Sequence, residues 1–471
     1  MREIPIGLSF DDVLIVPRKS PVKSRKDINL RTRLSKNISL NIPLISANMD
    51  TVTESKMAIA MAQNGGLGII HRFLPIETQV YEVARVKRSE SVFIEDPLRI
   101  APEKNLLDAK HIMEENDIHN VLVVGPSNQL VGIITHRDLL FEDNLNQKVE
   151  SVMTKDVITA SKGTNVEQAT ELLKKNRLKK LPLIDEKGIL CGLYTTKDIL
   201  NLRHSNGAAK DQKGRLLVGA AVGVKKDFLE RTQKLLQAGA DIIVVDIAHG
   251  HSDLAIETVK SIKKEFGNVE VMAGNVATKE ATQDLIAAGA DVIKVGVGPG
   301  SSCITRIVTG SGVPQITAIL DSVEGAGDIP IVADGGLKNS GDIAKALAAG
   351  ASTIMSGNFF MGTAETPGLA ILKGGQKFKV YRGSASFGAA ARRREREYGE
   401  WDQELENVVP EGVETVFPYK GSVRDIIHQL LGGLRSAISY GGATNISDFQ
   451  QNVELVRMTP AGFRESNFHD I

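Results

Sequence analysis

The sequence predicts a (β/α)8 barrel that is interrupted by an inserted domain. Two short apolar runs near the start of the chain, and six in its second part, alternate with amphipathic helical segments. Runs that are apolar without alternation are typical of parallel strands buried on both faces, and eight β-α units close into a barrel. An open doubly wound sheet is the rival fold, but it does not need eight strands. The interruption falls between the second and third predicted strands.

The elements follow one another in β-α order. Residues 40–47 form the first apolar run, Met57 and Met61 lie at helical spacing after it, and residues 67–70 form the second strand. Several later helices end in Ala-Gly-Ala, where the glycine is expected to cap the helix. The other six strands are predicted at 216–222, 242–246, 269–275, 292–296, 329–334 and 353–357.

Between the two parts of the barrel, the sequence repeats itself with a period of 60 residues. The segment from Gly132 to Leu139 recurs from Gly192 to Ile199, each copy after a helix and an apolar strand. This pair resembles the CBS module. We therefore predict domains at 1–91 (barrel), 92–205 (tandem CBS) and 206–471 (barrel). The resemblance implies that ATP or another purine nucleotide binds at Thr135, Asp138, Thr195 and Asp198. The alternative is that these Thr and Asp side chains only cap the following helices.

Composition excludes several classes of protein. Lys+Arg and Asp+Glu each number 57, so no net charge attracts the chain to nucleic acid. The two cysteines, Cys191 and Cys303, are too few for a disulfide framework or a four-thiolate metal site. The start of the chain lacks a secretory signal, and no apolar run of about 18 residues occurs. We therefore expect a soluble, cytoplasmic protein without a membrane partner.

The most distinctive segment runs from Lys294 to Arg306. A short apolar strand leads into glycines at three alternate positions, followed by Ser301, Cys303 and Thr305. Glycines let a backbone turn tightly and approach a ligand, so a thiol on this loop is well placed for chemistry. The alternative is a buried structural cysteine, which is the commoner role of a single Cys.

The other predicted strands also end in polar or glycine-rich loops, and in a barrel these loops build the active site. The loops after strands seven and eight are commonly a phosphate site. Asp334, beside that phosphate site, suits a hydroxyl donor such as a ribose. These loops contain Asn48, Asp50, His71, Arg72, Asp246, His249, Ser252, Asn275, Asp334, Gly335, Gly336, Gly357 and Asn358.

The cysteine loop, Asp334-Gly335-Gly336, Tyr381-Arg382-Gly383, the segment 409–413 and Gly432-Gly433-Leu434-Arg435-Ser436 together resemble the inosine monophosphate (IMP) dehydrogenases. The resemblance covers essentially the whole chain. It implies that Cys303 adds to carbon 2 of the hypoxanthine, that hydride passes to NAD, and that Thr305 positions water. The implied nucleotide-binding residues are Ser301, Asp334, Gly335, Gly336, Gly357, Asn358, Tyr381, Gly383 and Glu411, and those facing NAD are Asp246, Asn275, Gly296 and Gly298.

The resemblance also implies a potassium ion and a homotetramer. Carbonyl groups of Gly298, Gly300 and Cys303 would bind the ion, together with three C-terminal residues of a neighbouring subunit. Asn467 departs from the histidine usual in the family at the last of these positions. The three C-terminal residues are Glu465, Ser466 and Asn467.

The sequence differs most from the IMP dehydrogenases at 384–418, a long polar segment that corresponds to their mobile flap. The family has an adjacent Arg-Tyr pair there, with Arg acting as base towards water, whereas Glu397 separates Arg396 from Tyr398 here. Either the flap is shifted by one residue, or Glu397 does the acid-base work. Phe387 stands where the guanosine monophosphate (GMP) reductases have a Glu, which argues against that sister activity. The alternatives are an NADPH-dependent GMP reductase and a nucleotide-sensing homologue that has lost turnover.

Overall fold

The computed structural model describes residues 4–89, 93–94, 96–116, 118–196, 199, 207–225, 227–388 and 409–466. The chain forms two compact units, one of Met1–Ser89 with Gly207–Ile471 and the other of Glu90–Asn206. Within the described residues, no helix is both long and apolar enough to cross a membrane.

The strands are β1 (Val13–Ile15), β2 (Thr32–Arg33), β3 (Ser39–Leu40), β4 (Leu44–Ser46), β5 (Leu67–Ile70), β6 (Phe93–Ile94), β7 (Arg99–Ile100), β8 (Asn120–Val124), β9 (Leu130–Thr135), β10 (Ala160–Ser161), β11 (Lys180–Ile184), β12 (Leu190–Thr195), β13 (Gly219–Val222), β14 (Ile242–Asp246), β15 (Val271–Val276), β16 (Val292–Val295), β17 (Ile331–Asp334), β18 (Thr353–Ser356), β19 (Ile371–Lys373), β20 (Gln376–Arg382), β21 (Glu414–Pro418) and β22 (Leu455–Arg457).

The α-helices are α1 (Ser55–Gln63), α2 (Ile76–Ser89), α3 (Leu106–Glu115), α4 (His136–Leu140), α5 (Val149–Val152), α6 (Val166–Lys175), α7 (Phe228–Gln237), α8 (Asp253–Phe266), α9 (Lys279–Ala287), α10 (Thr305–Thr309), α11 (Gln315–Ala326), α12 (Ser340–Ala348), α13 (Val423–Tyr440), α14 (Ile446–Asn452) and α15 (Pro460–Glu465).

The first unit is a closed barrel of eight parallel strands, as the sequence predicts. Its order is β4, β5, β13, β14, β15, β16, β17 and β18, and β18 pairs with β4 to close it. Neighbouring side chains on one strand point to opposite faces of the barrel wall. Leu44 packs in a hydrophobic cluster with residues of the surrounding helices, and Ile45 packs in a separate cluster with residues of the other strands. This double burial explains why the strands read as continuous apolar runs.

The Ala-Gly-Ala sequences end their helices as predicted. Gly239, Gly289 and Gly350 follow α7, α9 and α12 with φ angles of 98°, 106° and 105°. These angles lie in the left-handed region, which glycine adopts without steric cost. The chain can therefore turn sharply from each helix into the next barrel strand.

A buried lysine on α2 joins the segments that lead into β13 and β14. Lys87 Nζ lies 3.0 Å from Asp211 and 2.6 Å from Asp241, and it donates to the Leu216 carbonyl at 3.0 Å. Asp241 also accepts the Val218 N–H at 2.8 Å. The cluster thus holds the chain around Asp211 and Leu216, where it returns to the barrel, against the end of α2.

The second unit contains the sequence repeat as two similar β-α-β-β arrangements. β7, β8 and β9 form one sheet, while β10, β11 and β12 form another together with β6. Both copies have a register shift at the same point, between Val123 and Val124 and between Leu183 and Ile184. The two copies therefore share their strand order and an irregularity.

Candidate active site

The cysteine loop follows β16 at the carboxyl ends of the barrel strands. Gly296 has a φ angle of 153°, and a Cβ atom there would lie 2.1 Å from the Asp334 carbonyl oxygen. Gly298 has a φ angle of 84°, and a Cβ atom there would lie 2.6 Å from the Arg306 side chain. Only glycine fits both constraints, so the loop passes close to β17 before it reaches the half-buried Cys303.

Cys303 begins a short hydrogen-bonded chain of side chains. Its Sγ donates to Thr305 Oγ1 at 3.1 Å, and Thr305 Oγ1 donates to Glu411 Oε2 at 2.6 Å. The second distance is typical of a hydroxyl that donates to an ionised carboxylate. A proton acceptor therefore lies one hydroxyl away from the thiol.

Glu411 is positioned by the backbone on either side of it. Ile304 N–H donates to the Glu411 carbonyl at 2.8 Å, and Val413 N–H donates to the Ser302 carbonyl at 3.0 Å. The Glu411 N–H donates to the Ala385 carbonyl, also at 3.0 Å. The segment around Glu411 thus lies between the cysteine loop and the segment that follows β20.

Glycine-rich loops after β17 and β18 form the neighbouring wall. Cβ atoms at Gly335 and Gly336 would each lie 3.2 Å from the cysteine loop, so these loops are in contact. A Cβ atom at Gly357 would lie 3.2 Å from the Tyr381 hydroxyl. Burial raises the pKa of that hydroxyl, which keeps Tyr381 a neutral hydrogen-bond donor. The wall can therefore present backbone N–H groups and a phenol to an anion.

A second polar cluster fills the mouth of the barrel around Lys294, a fully buried lysine on β16. Its Nζ lies 3.2 Å from Asp246 and 3.3 Å from Asp334, and it donates to Asn275 Oδ1. Burial alone would raise the pKa of Asp246, but Lys294 and Arg72 outweigh it and hold that pKa below its ordinary value. The pKa of Lys294 is raised, because the two carboxylates outweigh its burial. Both groups are therefore charged at neutral pH.

A family model described as "IMP dehydrogenase / GMP reductase domain" matches residues 7–469. The chain belongs to the IMP dehydrogenase / GMP reductase family. It is 54% identical to an inosine-5'-monophosphate dehydrogenase of Nitrosopumilus maritimus, over 100% of this chain and 99% of that protein. It is 48% identical to a GMP reductase of Leishmania major, over 99% and 98% of the two chains. A crystal structure of Trypanosoma brucei GMP reductase in complex with guanosine 5'-monophosphate superposes with a TM-score of 0.92, at 46% identity over 99% and 98% of the chains.

The fold brings together many of the residues that the resemblance to this family predicts as site residues. The contacts above connect the cysteine loop with Gly335, Gly336 and Glu411. Asp246 and Asn275 contact Lys294, and Asn275 also donates to the Gly296 carbonyl at 2.8 Å. Gly298 lies against the Arg306 side chain instead. Ser466 follows α15 directly, and its Oγ donates to the carbonyl of Gly462 within that helix at 3.0 Å. Arg396, Glu397, Tyr398, Asn467 and Asp198 lie outside the described residues.

The segment predicted as the IMP dehydrogenase flap, 384–418, is not irregular along its whole length. Its last five residues form strand β21, which pairs with β20 from Arg382↔Glu414 to Phe378↔Pro418. Ser386 is fully buried and its Oγ donates to Glu414 Oε1 at 3.1 Å. The two described ends of this segment are therefore held by hydrogen bonds to residues far apart in sequence, although β21 itself is mostly exposed.

Sequence reasoning also missed two groups of this family site. Lys294 stands inside an apolar strand, and that interruption was the available signal. Arg382 lies 3.3 Å from the buried Asp50 and 3.5 Å from Glu414, which links the loop after β4 with β20 and β21. No local pattern indicates such a pairing.

Proposed function

We propose that the protein oxidises IMP to xanthosine monophosphate with NAD, as a step in guanine nucleotide biosynthesis. Relatives named IMP dehydrogenase, about half identical over the full chain, support this assignment. The observation that carries it is the chain of hydrogen bonds from Cys303 through Thr305 to Glu411. It provides both a nucleophile and a group to move protons.

The first step uses Cys303 as nucleophile. Its sulfur would add to carbon 2 of the hypoxanthine, which makes that carbon tetrahedral, and the thiol proton would leave towards Thr305 and Glu411. NAD, when bound, would accept the hydride that this carbon releases. The substrate is then joined to Cys303 as a thioimidate, and one difficult oxidation has become two easier steps.

The second step is hydrolysis of that intermediate. Thr305, oriented by Glu411, is suited to position a water molecule on the covalent adduct and pass on its proton. Attack by water forms the new C–O bond, and cleavage of the C–S bond returns Cys303 and releases the product. Arg396, Glu397 and Tyr398 are proposed to assist here, with Arg396 or Glu397 as base.

The substrate residues divide by chemistry. Backbone groups of Gly336 and Gly357, with the neutral Tyr381 hydroxyl, would bind the phosphate, and the Asp334 carboxylate would accept from the ribose hydroxyls. Ser301, Gly335, Asn358, Gly383 and Glu411 complete the proposed nucleotide site. Asp246 and Asn275, beside Gly296 and Gly298, would face NAD.

We propose a potassium site on the cysteine loop and a homotetramer. Carbonyl oxygens of Gly298, Gly300 and Cys303 are hard ligands of the kind a monovalent cation prefers, with Glu465, Ser466 and Asn467 from a neighbouring subunit. Light scattering tests the tetramer, and replacing K⁺ by Li⁺ should lower turnover.

For the second unit we propose binding of ATP or a similar purine nucleotide. Asp138 Oδ2 accepts from both the N–H and the Oγ1 of Thr135 at 2.8 Å, so these two side chains form a capping box at the start of α4. A ribose would have to use the second carboxylate oxygen. Thr195 and Asp198 are the corresponding residues of the second copy. Calorimetric titration of ATP into the protein and into Asp138→Ala tests this proposal.

The function is tested by following NADH formation from IMP and NAD and identifying the nucleotide product. Cys303→Ala should abolish NADH formation while IMP binding stays measurable by calorimetry. Absence of NADH formation by the wild-type protein, at saturating substrates with K⁺ present, would refute the assignment.

GMP reductase is the second candidate, because solved reductase structures superpose closely on this chain. NADPH oxidation on addition of GMP distinguishes it from the dehydrogenase. A purely nucleotide-sensing homologue is the third, and it would bind adenine nucleotides equally well with or without Cys303.

A further inference from the structure

Lys294 stands at the centre of four consecutive barrel strands. Its own strand is β16, and its partners Asp246, Asn275 and Asp334 lie on β14, β15 and β17. Asn275 adds two further bonds, donating to the Asp334 carboxylate at 2.9 Å and to the Gly296 carbonyl at 2.8 Å. The cluster therefore connects the carboxylate proposed for NAD with the one proposed for the nucleotide ribose.

The ammonium group has no hydrogen left for a ligand. A lysine Nζ carries three donors, and here three acceptors from three different strands take them. The side chain is 2% exposed, whereas the two carboxylates remain 17% and 21% exposed at the mouth of the barrel. Lys294 thus lies behind its partners, and it can act on a bound molecule only through them.

We propose that Lys294 is a positioning residue that couples the nucleotide and dinucleotide sites. A ribose bound to Asp334 fixes that carboxylate, and through Lys294 and Asn275 it also fixes Asp246. The second ligand then meets side chains that are already ordered, so its binding loses less conformational entropy. Each ligand should consequently tighten the binding of the other by the same factor.

The inference rests on the proposed function, because it takes Asp334 and Asp246 as the ribose-binding groups. It goes beyond that function in assigning Lys294 a role that neither hydride transfer nor hydrolysis requires. A merely structural role predicts lower thermal stability only. A coupling role predicts a change in the mutual effect of the two ligands.

The experiment uses IMP and ADP-ribose, titrated by calorimetry into the full-length protein. ADP-ribose keeps the ribose that would face Asp246 but lacks the nicotinamide ring, so it can neither react nor stack on the hypoxanthine. The coupling factor is the ratio of ADP-ribose Kd values without and with saturating IMP. Because no turnover is measured, failure of the dehydrogenase assay and failure of this proposal remain distinguishable.

Three variants separate the explanations. Lys294→Met removes the ammonium at similar side-chain length, and Lys294→Arg keeps a cation there. Lys87→Met is the matched control, because Lys87 is also a buried lysine between two aspartates but lies at the amino ends of the strands. Melting temperatures check that each variant is folded.

We expect IMP to tighten ADP-ribose binding about tenfold in the wild-type protein, within the usual range of coupling. Lys87→Met should keep this factor despite a lower melting temperature, and Lys294→Arg should keep most of it. Lys294→Met should reduce the factor to near one. A factor of one in the wild type, or an unchanged factor in folded Lys294→Met, would overturn the proposal.

Discussion

Replacing Thr305 by valine tests the proposed hydrolytic step most directly. The change removes one hydroxyl and keeps the shape of the side chain, so Cys303 stays in place. It deletes the 3.1 Å bond from Cys303 and the 2.6 Å bond to Glu411, and it leaves that carboxylate without its donor. A hydrogen bond to a charged group contributes about 1.5–3 kcal/mol, and about 1.4 kcal/mol corresponds to a tenfold change in rate. Steady-state turnover should therefore fall about 10- to 100-fold.

The same variant should keep a rapid first turnover. Hydride transfer needs the sulfur and bound NAD, and without the Thr305 hydroxyl the thiol of the half-buried Cys303 can lose its proton to solvent. Hydrolysis, in contrast, needs an oriented water molecule. Stopped-flow absorbance should therefore show a burst of about one NADH per active site, followed by a slow steady phase. Thr309→Val is the control, because Thr309 lies one turn later on α10, where its hydroxyl donates to the Thr305 carbonyl and accepts from the Ser311 N–H. Loss of the burst together with the steady rate, or unchanged turnover, would refute this role of Thr305.

Two further predictions concern stability. Gly433→Ala should lower the melting temperature, because its Cβ would lie 2.1 Å from Ser340 Oγ where α13 crosses α12. Gly432→Ala, with open space around it, should instead stabilise the same helix by about 0.5–1 kcal/mol, and thermal unfolding of both variants checks the contrast. Asp12 accepts from Ser9 Oγ at 2.6 Å and Ser9 N–H at 2.7 Å, and these bonds hold its pKa below the ordinary value. A lowered folded-state pKa stabilises the protein above about pH 4, so Asp12→Asn should cost stability at pH 7, and the difference should vanish as pH falls through the folded-state pKa.

The barrel could be predicted because its signal is local. The barrel strands are buried on both faces, and α7, α9 and α12 are followed by a glycine with positive φ. Apolar runs and Ala-Gly-Ala sequences therefore mark these elements one at a time. The cysteine loop could be predicted for the same reason: the conformations of Gly296 and Gly298 exclude other residues. Chemistry that depends on backbone geometry is visible in sequence.

The contacts that complete the site were not predictable in this way. Thr305 and Glu411 are 106 residues apart, and only the folded chain shows that one donates to the other. Lys294 was overlooked because its value depends on carboxylates that arrive from other strands. The strand β21 was missed because its residues are mostly exposed, so no apolar run marks it.

The lysine cluster at the amino ends of the barrel strands has a consequence for how such a protein can change over time. α2 ends at Ser89, and the returning chain is held by Lys87 on Asp211 and by Asn41, whose Nδ2 donates to the Gly207 and Ala208 carbonyls at 3.1 Å. Both points where the chain leaves and rejoins the barrel are thus secured by barrel residues. They lie at the amino ends of the strands, opposite the loops proposed to be catalytic. Selection can therefore alter, lengthen or exchange the intervening segment while the barrel keeps the contacts that hold its two attachment points.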